Sequence, residues 1–190
     1  MKFIKNILLG ILVLSLLSCS YFIHKKERIT KTGLIIKNGL YQLDTNIILS
    51  NLNLPPLLEK LESSEITEKR SVSYLPFNVK LFLDSLTHEN FLIANPEEEW
   101  NITCISDENL PDRQLVFLGL GKDVILLAYL TGGIGVSEHV LIIKTENSKI
   151  VDFWSGLVSR GLNDKDKILE YLNDNIDKEY KLNSSFIYLK

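Results

Sequence analysis

Four apolar runs in the second half of the chain predict an antiparallel sheet. They span residues 115–118, 124–130, 140–143 and 150–154. The connections between them are short and rich in glycine, asparagine and aspartate, whereas a parallel crossover needs about a dozen residues or more. The runs are therefore expected to pair in chain order as a β-meander. The second and third runs are apolar at both alternating sets of positions, which predicts central strands that are covered on both faces.

The segment 77–87 has the apolar spacing of an amphipathic helix. Its apolar positions include Val79, Phe82, Leu83 and Leu86. This i, i+3, i+4, i+7 spacing predicts a helix. The alternation of Val79, Leu81 and Leu83 leaves a strand as the second interpretation.

Two further helices are predicted from their first residues. Pro55 and Pro56 suit the first turn of a short helix. The apolar face of this helix comprises Leu57, Leu58 and Leu61. Near the end of the chain, Asn163 can act as an N-cap residue. Asp164 and Asp166 would then lie in the first turn, where negative charge favours the helix dipole.

The remaining turn signals complete the prediction of one domain. Asn38-Gly39, within the apolar segment 34–43, predicts a hairpin with a type I′ turn. The polar segment 62–73 is predicted to be a loop, and 186–189 to be an edge strand. We therefore expect an α+β fold over residues 33–190, in which an antiparallel β-meander carries two to three packed helices.

The first eighteen residues have the pattern of an export signal. Twelve of them are apolar, and Lys2 and Lys5 are their only charges. A membrane-spanning helix needs about 20 apolar residues, whereas the apolar region of a signal peptide needs only about 7–15. The apolar run at 7–17 fits the second length. Residues 1–18 are therefore predicted to be a signal peptide.

The run ends in Leu16-Leu17-Ser18-Cys19, which resembles the lipobox of bacterial lipoproteins. The resemblance covers residues 1–19 only. It implies that the Cys19 thiol receives a diacylglycerol, that a peptidase cuts before Cys19, and that the new amino group is acylated. Several acyl chains on one residue anchor a protein stably. The alternative is an ordinary secretory signal that is cut elsewhere.

Residues 19–32 are predicted to be a solvated tether between the lipid and the domain. The tether contains Lys25, Lys26, Arg28 and Lys31. Attraction of these charges to anionic headgroups would be an additional role. In the sorting rule of enteric lipoproteins, an aspartate after the acylated cysteine retains the protein in the inner membrane. Ser20 at that position implies the outer membrane instead.

Composition and charge exclude several classes of protein. An apolar content of 45% with ten Gly and five Pro rules out wholesale disorder and collagen. After residue 18 the chain keeps 19 basic and 24 acidic residues, a formal charge of −5, and so acidic a domain is a poor binder of nucleic acid. If Cys19 is acylated, Cys104 is left alone, which excludes an intramolecular disulfide and zinc sites built on cysteine pairs. No metal and no cofactor is predicted.

The glycine-rich segments do not match a nucleotide-binding motif. Gly121 and Lys122 lack the first glycine of a P-loop, because Val116 stands at that position, and Asp123 replaces the hydroxyl residue. The segment 131–135 is predicted to be a hairpin loop with positive φ angles. Contact with a ligand is the alternative role of this loop.

One combination of residues suggests a cysteine hydrolase. Cys104 would be the nucleophile, His139 its base and Asp152 the group that orients the base. The strand that begins at His139, followed by a turn and a strand with Asp152, resembles the papain-like cell-wall hydrolases of the NlpC/P60 type, which implies cleavage of peptidoglycan peptides. The chain departs from that pattern, because Cys104 precedes a turn-like stretch instead of opening a helix, and two extra strands precede His139. This hydrolase is kept as the alternative function.

The leading hypothesis is a lipid-anchored cell-envelope protein with a binding or structural role and no catalytic activity. Its partners would be the membrane, through the lipid, and another envelope protein or a glycan. The candidate binding residues are Gly132, Gly133, Gly135, His139 and Trp154. They flank one pair of predicted strands and are expected to meet at one end of the sheet. A small-molecule carrier, the third class considered, would need a large apolar cavity between the sheet and the helices.

Overall fold

The computed structural model describes residues 31–87, 90–103, 107–178 and 182, and the first element in these ranges is a β-hairpin. Strand β1 (Leu34–Lys37) pairs antiparallel with β2 (Leu40–Leu43). Asn38 and Gly39 connect the strands with φ values of 53° and 78°. A type I′ turn requires this left-handed backbone at both central residues. The predicted hairpin is confirmed.

Five strands form the larger antiparallel sheet, in the spatial order β3-β4-β5-β6-β7. They are β3 (Thr67–Lys69), β4 (Arg113–Leu120), β5 (Val124–Thr131), β6 (Ser137–Glu146) and β7 (Lys149–Val158). The four apolar runs lie in β4 to β7, which follow one another as the predicted meander. Each strand extends beyond its apolar run, because backbone pairing continues through polar residues such as Arg113 and Glu146.

The edge strand β3 lies in the segment 62–73, which the sequence analysis predicted to be a loop. The same segment contains a 3₁₀ turn at Val72–Tyr74. All three β3 residues pair with β4, and their side chains are exposed or half-buried. An edge strand of this kind is held by backbone hydrogen bonds to one neighbour and needs no alternation of apolar residues. The loop prediction for 62–73 was therefore wrong at β3, because such a strand leaves no signal in the pattern of apolar residues.

Four α-helices lie within the described ranges, where two to three were predicted. They are α1 (Thr45–Leu49), α2 (Leu54–Glu62), α3 (Phe77–Thr87) and α4 (Lys165–Asn175). The five-residue α1 was missed because so short a helix shows no 3.6-residue period. In α3, Val79 and Leu83 are buried while Leu81 is 51% exposed. The helix prediction for 77–87 is therefore confirmed over the strand. Together with the sheets, these helices make a mixed α+β single domain, as predicted.

The N-cap of α4 is Asp164, one residue later than predicted. Its backbone is extended, and its carboxylate Oδ1 accepts a hydrogen bond from the Lys167 backbone N–H at 2.8 Å. This is the bond that an N-cap side chain makes to the third helical residue. The hydrogen bonds to Lys167 also lower the pKa of Asp164. Asn163 and Asp164 are both good capping residues, so the sequence alone does not choose between them.

Helices cover both faces of the larger sheet, as predicted for its central strands. On one face, here called the α3 face, the Phe82 ring of α3 contacts the Phe153 ring of β7 at 5.4 Å between centroids. On the opposite face, called the α2 face, the turn between α1 and α2 contacts β7 through Asn51 and Asn53. Helix α4 lies beside α2 and donates a hydrogen bond from Asn173 to it. The strand interiors between these layers are fully buried.

Several predictions concern residues outside the described ranges. These are the signal peptide at 1–18, acylation of Cys19, the nucleophile Cys104 and the edge strand at 186–189, and they stay predictions. Of the helices that the structure describes, none has the length and apolar character needed to cross a membrane.

Candidate functional site

The loop between β5 and β6, residues 132–136, packs closely against the segment 101–103. The Gly133 backbone N–H donates to the Ile102 carbonyl at 3.1 Å. A methyl group added at Gly132 would lie 2.1 Å from the Asn101 carbonyl oxygen and 2.6 Å from that of Ile102. Gly133 has a φ of 137°, a backbone conformation that favours glycine. Both glycines are therefore required by this loop and its close backbone contact.

A polar cavity of about 230 Å³ opens where the loop meets this segment. It is lined by Asn101, Thr103, Asp112, Arg113, Thr131, Gly132 and Gly133. Most of these side chains offer hydrogen-bond donors or acceptors, and one carboxylate and one guanidinium group are among them. Pockets for small molecules usually measure about 300–1,000 Å³ and are mainly apolar. The cavity therefore suits one small polar group rather than a large apolar ligand.

Asn101 holds the backbone around the cavity in place. Its side-chain Nδ2 donates to the Leu110 carbonyl at 3.0 Å and to the Asp112 carboxylate at 2.8 Å. Its Oδ1 accepts from the Asp107 backbone N–H at 2.9 Å. The Asn101 side chain thereby ties both ends of the loop 107–112 to the segment that lines the cavity.

Aromatic rings and one guanidinium group stack beneath the cavity on the α3 face. The Arg113 guanidinium lies 4.1 Å from the Phe91 ring centroid, and Phe91 meets Tyr129 edge to face. The Tyr129 ring stacks on His139 at 5.2 Å between centroids. Burial raises the pKa of the Tyr129 phenol above its usual range, and the Arg113 charge partly opposes this rise. Tyr129 and His139 are at least 98% buried, so they support the site from below, whereas Arg113, at 96% buried, also lines the cavity.

His139 is buried in its neutral form. Its Nε2 lies 2.8 Å from the Thr131 hydroxyl, and its Nδ1 has no hydrogen-bond partner in the part of the chain that the structure describes. Burial lowers the pKa of His139 to about 4, and the nearby Arg113 charge adds to this. His139 does not line the cavity itself but reaches it through Thr131.

Asp152 does not orient His139, so the predicted triad lacks its acid. Asp152 pairs with Lys144, five positions along β6 from His139, which corresponds to about 16 Å along the strand. The odd separation also places the two side chains on opposite faces of the sheet. Within the described ranges, neither nitrogen of the His139 ring is hydrogen-bonded to a carboxylate. The distance from Cys104 to His139 lies outside the described residues.

Asp152 instead fixes the point where the chain enters the domain. Its Oδ1 accepts hydrogen bonds from the Gly33 N–H at 2.7 Å, the Asn53 side chain at 2.8 Å and the Phe153 N–H at 2.8 Å. Burial raises the pKa of Asp152, and these three hydrogen bonds oppose the rise. The carboxylate therefore has a structural role on the α2 face.

Trp154 and Gly135 do not belong to the site as predicted. Trp154 is fully buried on the α2 face, where its Nε1 donates to the Asn51 side chain at 3.1 Å. It pairs with Ile142, which lies in the middle of β6. Gly135 does not line the cavity, and a methyl group added there would contact nothing within 4 Å. Of the predicted binding residues, Gly132 and Gly133 line the cavity and His139 lies next to it.

Sequence reasoning missed Asn101, Arg113 and Thr131. The sequence did carry a signal for Arg113, because a charged residue at the start of a buried strand is unusual unless it has a partner. Asn101 had none, since its partners are five or more residues away and depend on the folded loop. Thr131 was included in the predicted loop but without a role.

No family model, no curated protein and no solved structure matches this chain. Within the described ranges, no group of three or more His, Cys, Asp or Glu residues is placed to hold a metal ion.

Proposed function

We propose that this protein is a lipid-anchored protein of the cell envelope, held in the outer membrane, whose domain acts by binding. One observation carries the anchoring. The apolar run at 7–17 follows two lysines and ends directly in Leu16-Leu17-Ser18-Cys19. The length of the run suits a signal peptide rather than a membrane span, and the cysteine stands where lipoproteins are acylated.

The polar cavity supports the binding role. Asp112, Arg113 and Thr131 offer a carboxylate, a guanidinium and a hydroxyl group within about 230 Å³. Sugar hydroxyls both donate and accept hydrogen bonds, so a mixed lining of this kind complements one sugar residue. A glycan of the envelope is the proposed ligand. A polar side chain of another envelope protein is the competing occupant.

Replacement of the acylated cysteine tests the anchoring. Cys19→Ala should abolish incorporation of labelled palmitate and release the protein from the membrane fraction or leave it uncut. Cys104→Ala, which removes the only other cysteine, is the matched control and should keep the wild-type labelling. Mass spectrometry of the wild-type protein should find Cys19 as the acylated first residue. An unmodified Cys19 within an intact 190-residue chain would contradict the proposal.

A charge-neutral replacement tests the cavity. Asp112→Asn keeps the size of the side chain, and it should weaken binding of the repeating cell-wall disaccharide, measured by titration calorimetry on the purified protein. Asp174→Asn on α4 makes the same change of charge at an exposed position away from the cavity and should bind as the wild type does. No binding by the wild-type protein, or equal weakening in both variants, would contradict the glycan assignment.

A further inference from the structure

A large groove lies between the hairpin and α3. It measures about 920 Å³, and ten residues line it, none of them charged. Leu40 of β2 and Leu81 of α3 stand on its two sides and are 69% and 51% exposed. The groove lies at the hairpin and not between the larger sheet and its helices, so it is not the cavity that a small-molecule carrier would need.

The exposed apolar surface continues beyond the groove. Phe77, one helical turn before Leu81, is 74% exposed. Residues four apart lie on the same side of a helix, so Phe77 extends the surface that Leu81 begins. Leu40, Phe77 and Leu81 are here called the hairpin–α3 face. A contiguous apolar surface of this kind in a soluble domain marks an interaction site.

The tether joins the domain at the start of the hairpin that lines the groove. The Gly33 N–H is held by Asp152, and β1 starts at the next residue. Thirteen residues lie between Cys19 and Gly33, which allows a reach of at most about 50 Å and a typical separation of about 20 Å. A bilayer that holds acylated Cys19 therefore stays within reach of the hairpin.

The charges are also unevenly distributed along the chain. Residues 21–43 contain five basic residues and one acidic residue, whereas 14 basic and 23 acidic residues follow Leu43. Anionic headgroups attract nearby basic residues and repel acidic ones. Four of the five basic residues lie in the tether, and Lys37 is the one charged residue of the hairpin. The tether and the hairpin are therefore the part of the chain that a negatively charged membrane surface favours.

We propose that the hairpin–α3 face docks onto the surface of the bilayer that carries the lipid anchor. The proposal rests on the anchoring at Cys19 proposed above and adds an orientation to it. Apolar side chains enter the boundary between headgroups and acyl chains, and basic residues of the tether and Lys37 contact the headgroups. The same orientation turns the acidic remainder of the domain away from the membrane.

A fluorescent probe of depth tests this orientation in the full acylated chain. Leu40→Cys, in a Cys104→Ser background, receives an environment-sensitive fluorophore, and the protein is reconstituted into vesicles of phosphatidylethanolamine and phosphatidylglycerol. Ile134→Cys is the matched control, because Ile134 is also a fully exposed apolar residue but lies in the β5–β6 loop. We expect a blue shift and quenching by lipid-borne nitroxides at position 40, and neither at position 134.

Three results would overturn the docking proposal. The first is the same aqueous spectrum at positions 40 and 134. The second is a shift at position 40 that depends on protein concentration and not on vesicles, which would show that a second copy covers the face. The third is hydrogen exchange of the acylated wild-type protein across 34–43 and 77–87 that is equally fast on these vesicles and in detergent, a measurement that needs no variant to fold. Mass spectrometry of Cys19 in the same sample separates a failure of docking from a failure of anchoring.

Discussion

Mild acid should destabilise the domain through His139. The pKa of this buried side chain is lowered from its usual 6.5 to about 4, so the folded protein holds it neutral while the unfolded chain takes up a proton. Between these two pKa values the unfolded state binds more protons, and the free energy of unfolding therefore falls as the pH falls. The loss begins near pH 6.5 and is complete below about pH 4.

The magnitude follows from the size of the shift. At about 1.36 kcal/mol per unit of pKa, the whole shift of His139 corresponds to about 3 kcal/mol. About 2 kcal/mol of this is lost between pH 7 and pH 5. Domains of this kind have unfolding free energies of about 5–15 kcal/mol, so the effect is large enough to measure by urea denaturation.

Two buried carboxyl groups act in the opposite direction. Burial raises the pKa of Glu138, although hydrogen bonds from the Gly161 and Leu162 backbone N–H groups partly lower it. Burial also raises the pKa of Asp152. A raised carboxyl pKa means that the folded state takes up a proton first, which stabilises the fold as the pH falls. The wild-type profile alone therefore mixes opposing contributions.

A comparison with His139→Gln isolates the histidine. Glutamine retains a group that can hydrogen-bond the Thr131 hydroxyl, and Glu138 and Asp152 are present in both proteins. The difference in unfolding free energy between wild type and variant should shrink by about 2 kcal/mol from pH 7 to pH 5. Parallel profiles across this range, or an NMR titration of the His139 ring near pH 6.5, would refute the reasoning.

Three further predictions concern the packing. Gly132→Ala should cost about 1–3 kcal/mol of unfolding free energy in urea, because the added methyl group collides with the Asn101 carbonyl. Gly135→Ala is the control and should change the unfolding free energy by no more than about 0.5 kcal/mol. Equal costs for the two variants would contradict the close contact at Gly132. Asp152→Ala should lower the urea midpoint by leaving the Gly33 and Phe153 N–H groups without an acceptor, at about 1–3 kcal/mol for each donor left unsatisfied. An unchanged midpoint would contradict the structural role. Trp154→Ala should cost about 3–5 kcal/mol, and a near-zero change in thermal unfolding would mean that the side chain is not in the core.

Local signals account for the parts of the fold that the sequence predicted. The turn at Asn38-Gly39 depends on two adjacent residues that adopt positive φ, and α3 depends on apolar spacing within eleven residues. Neither the turn nor the helix depends on contacts with the rest of the chain to be predicted. By contrast, α1 and β3 are too short to carry a period, and β3 exists because β4 offers it a free edge. The loop at 107–112 is organised by Asn101, whose hydrogen bonds form only after folding.

In the candidate site, too, residues with a local sequence signal were predicted and residues that depend on tertiary contacts were missed. Gly132 and Gly133 were found because glycines in a turn between two strands are a local signal. Arg113 and Tyr129 were missed because their importance comes from stacking across neighbouring strands and on Phe91. Such contacts depend on which residues of separate strands face each other, and that is set by register.

One irregularity in the pairing of β6 with β7 decides on which face of the sheet Asp152 and Trp154 lie. Glu146 pairs with Lys149 across the turn. If this register continued, Asp152 would pair with Ile143. Ile143 lies four positions from His139, on the same face of the sheet as His139. The register shifts by one residue between Lys144 and Thr145. Because side chains alternate along a strand, a one-residue slip moves every later residue of β7 to the other face. The slip puts Asp152 on the α2 face, where it reaches Gly33 and Asn53, and it puts Trp154 in the core on the same face. Even without the slip, Asp152 would lie about 13 Å along the strand from His139. A bulge of this kind leaves no mark in the pattern of apolar residues, so the sequence does not reveal that Asp152 anchors the start of the domain.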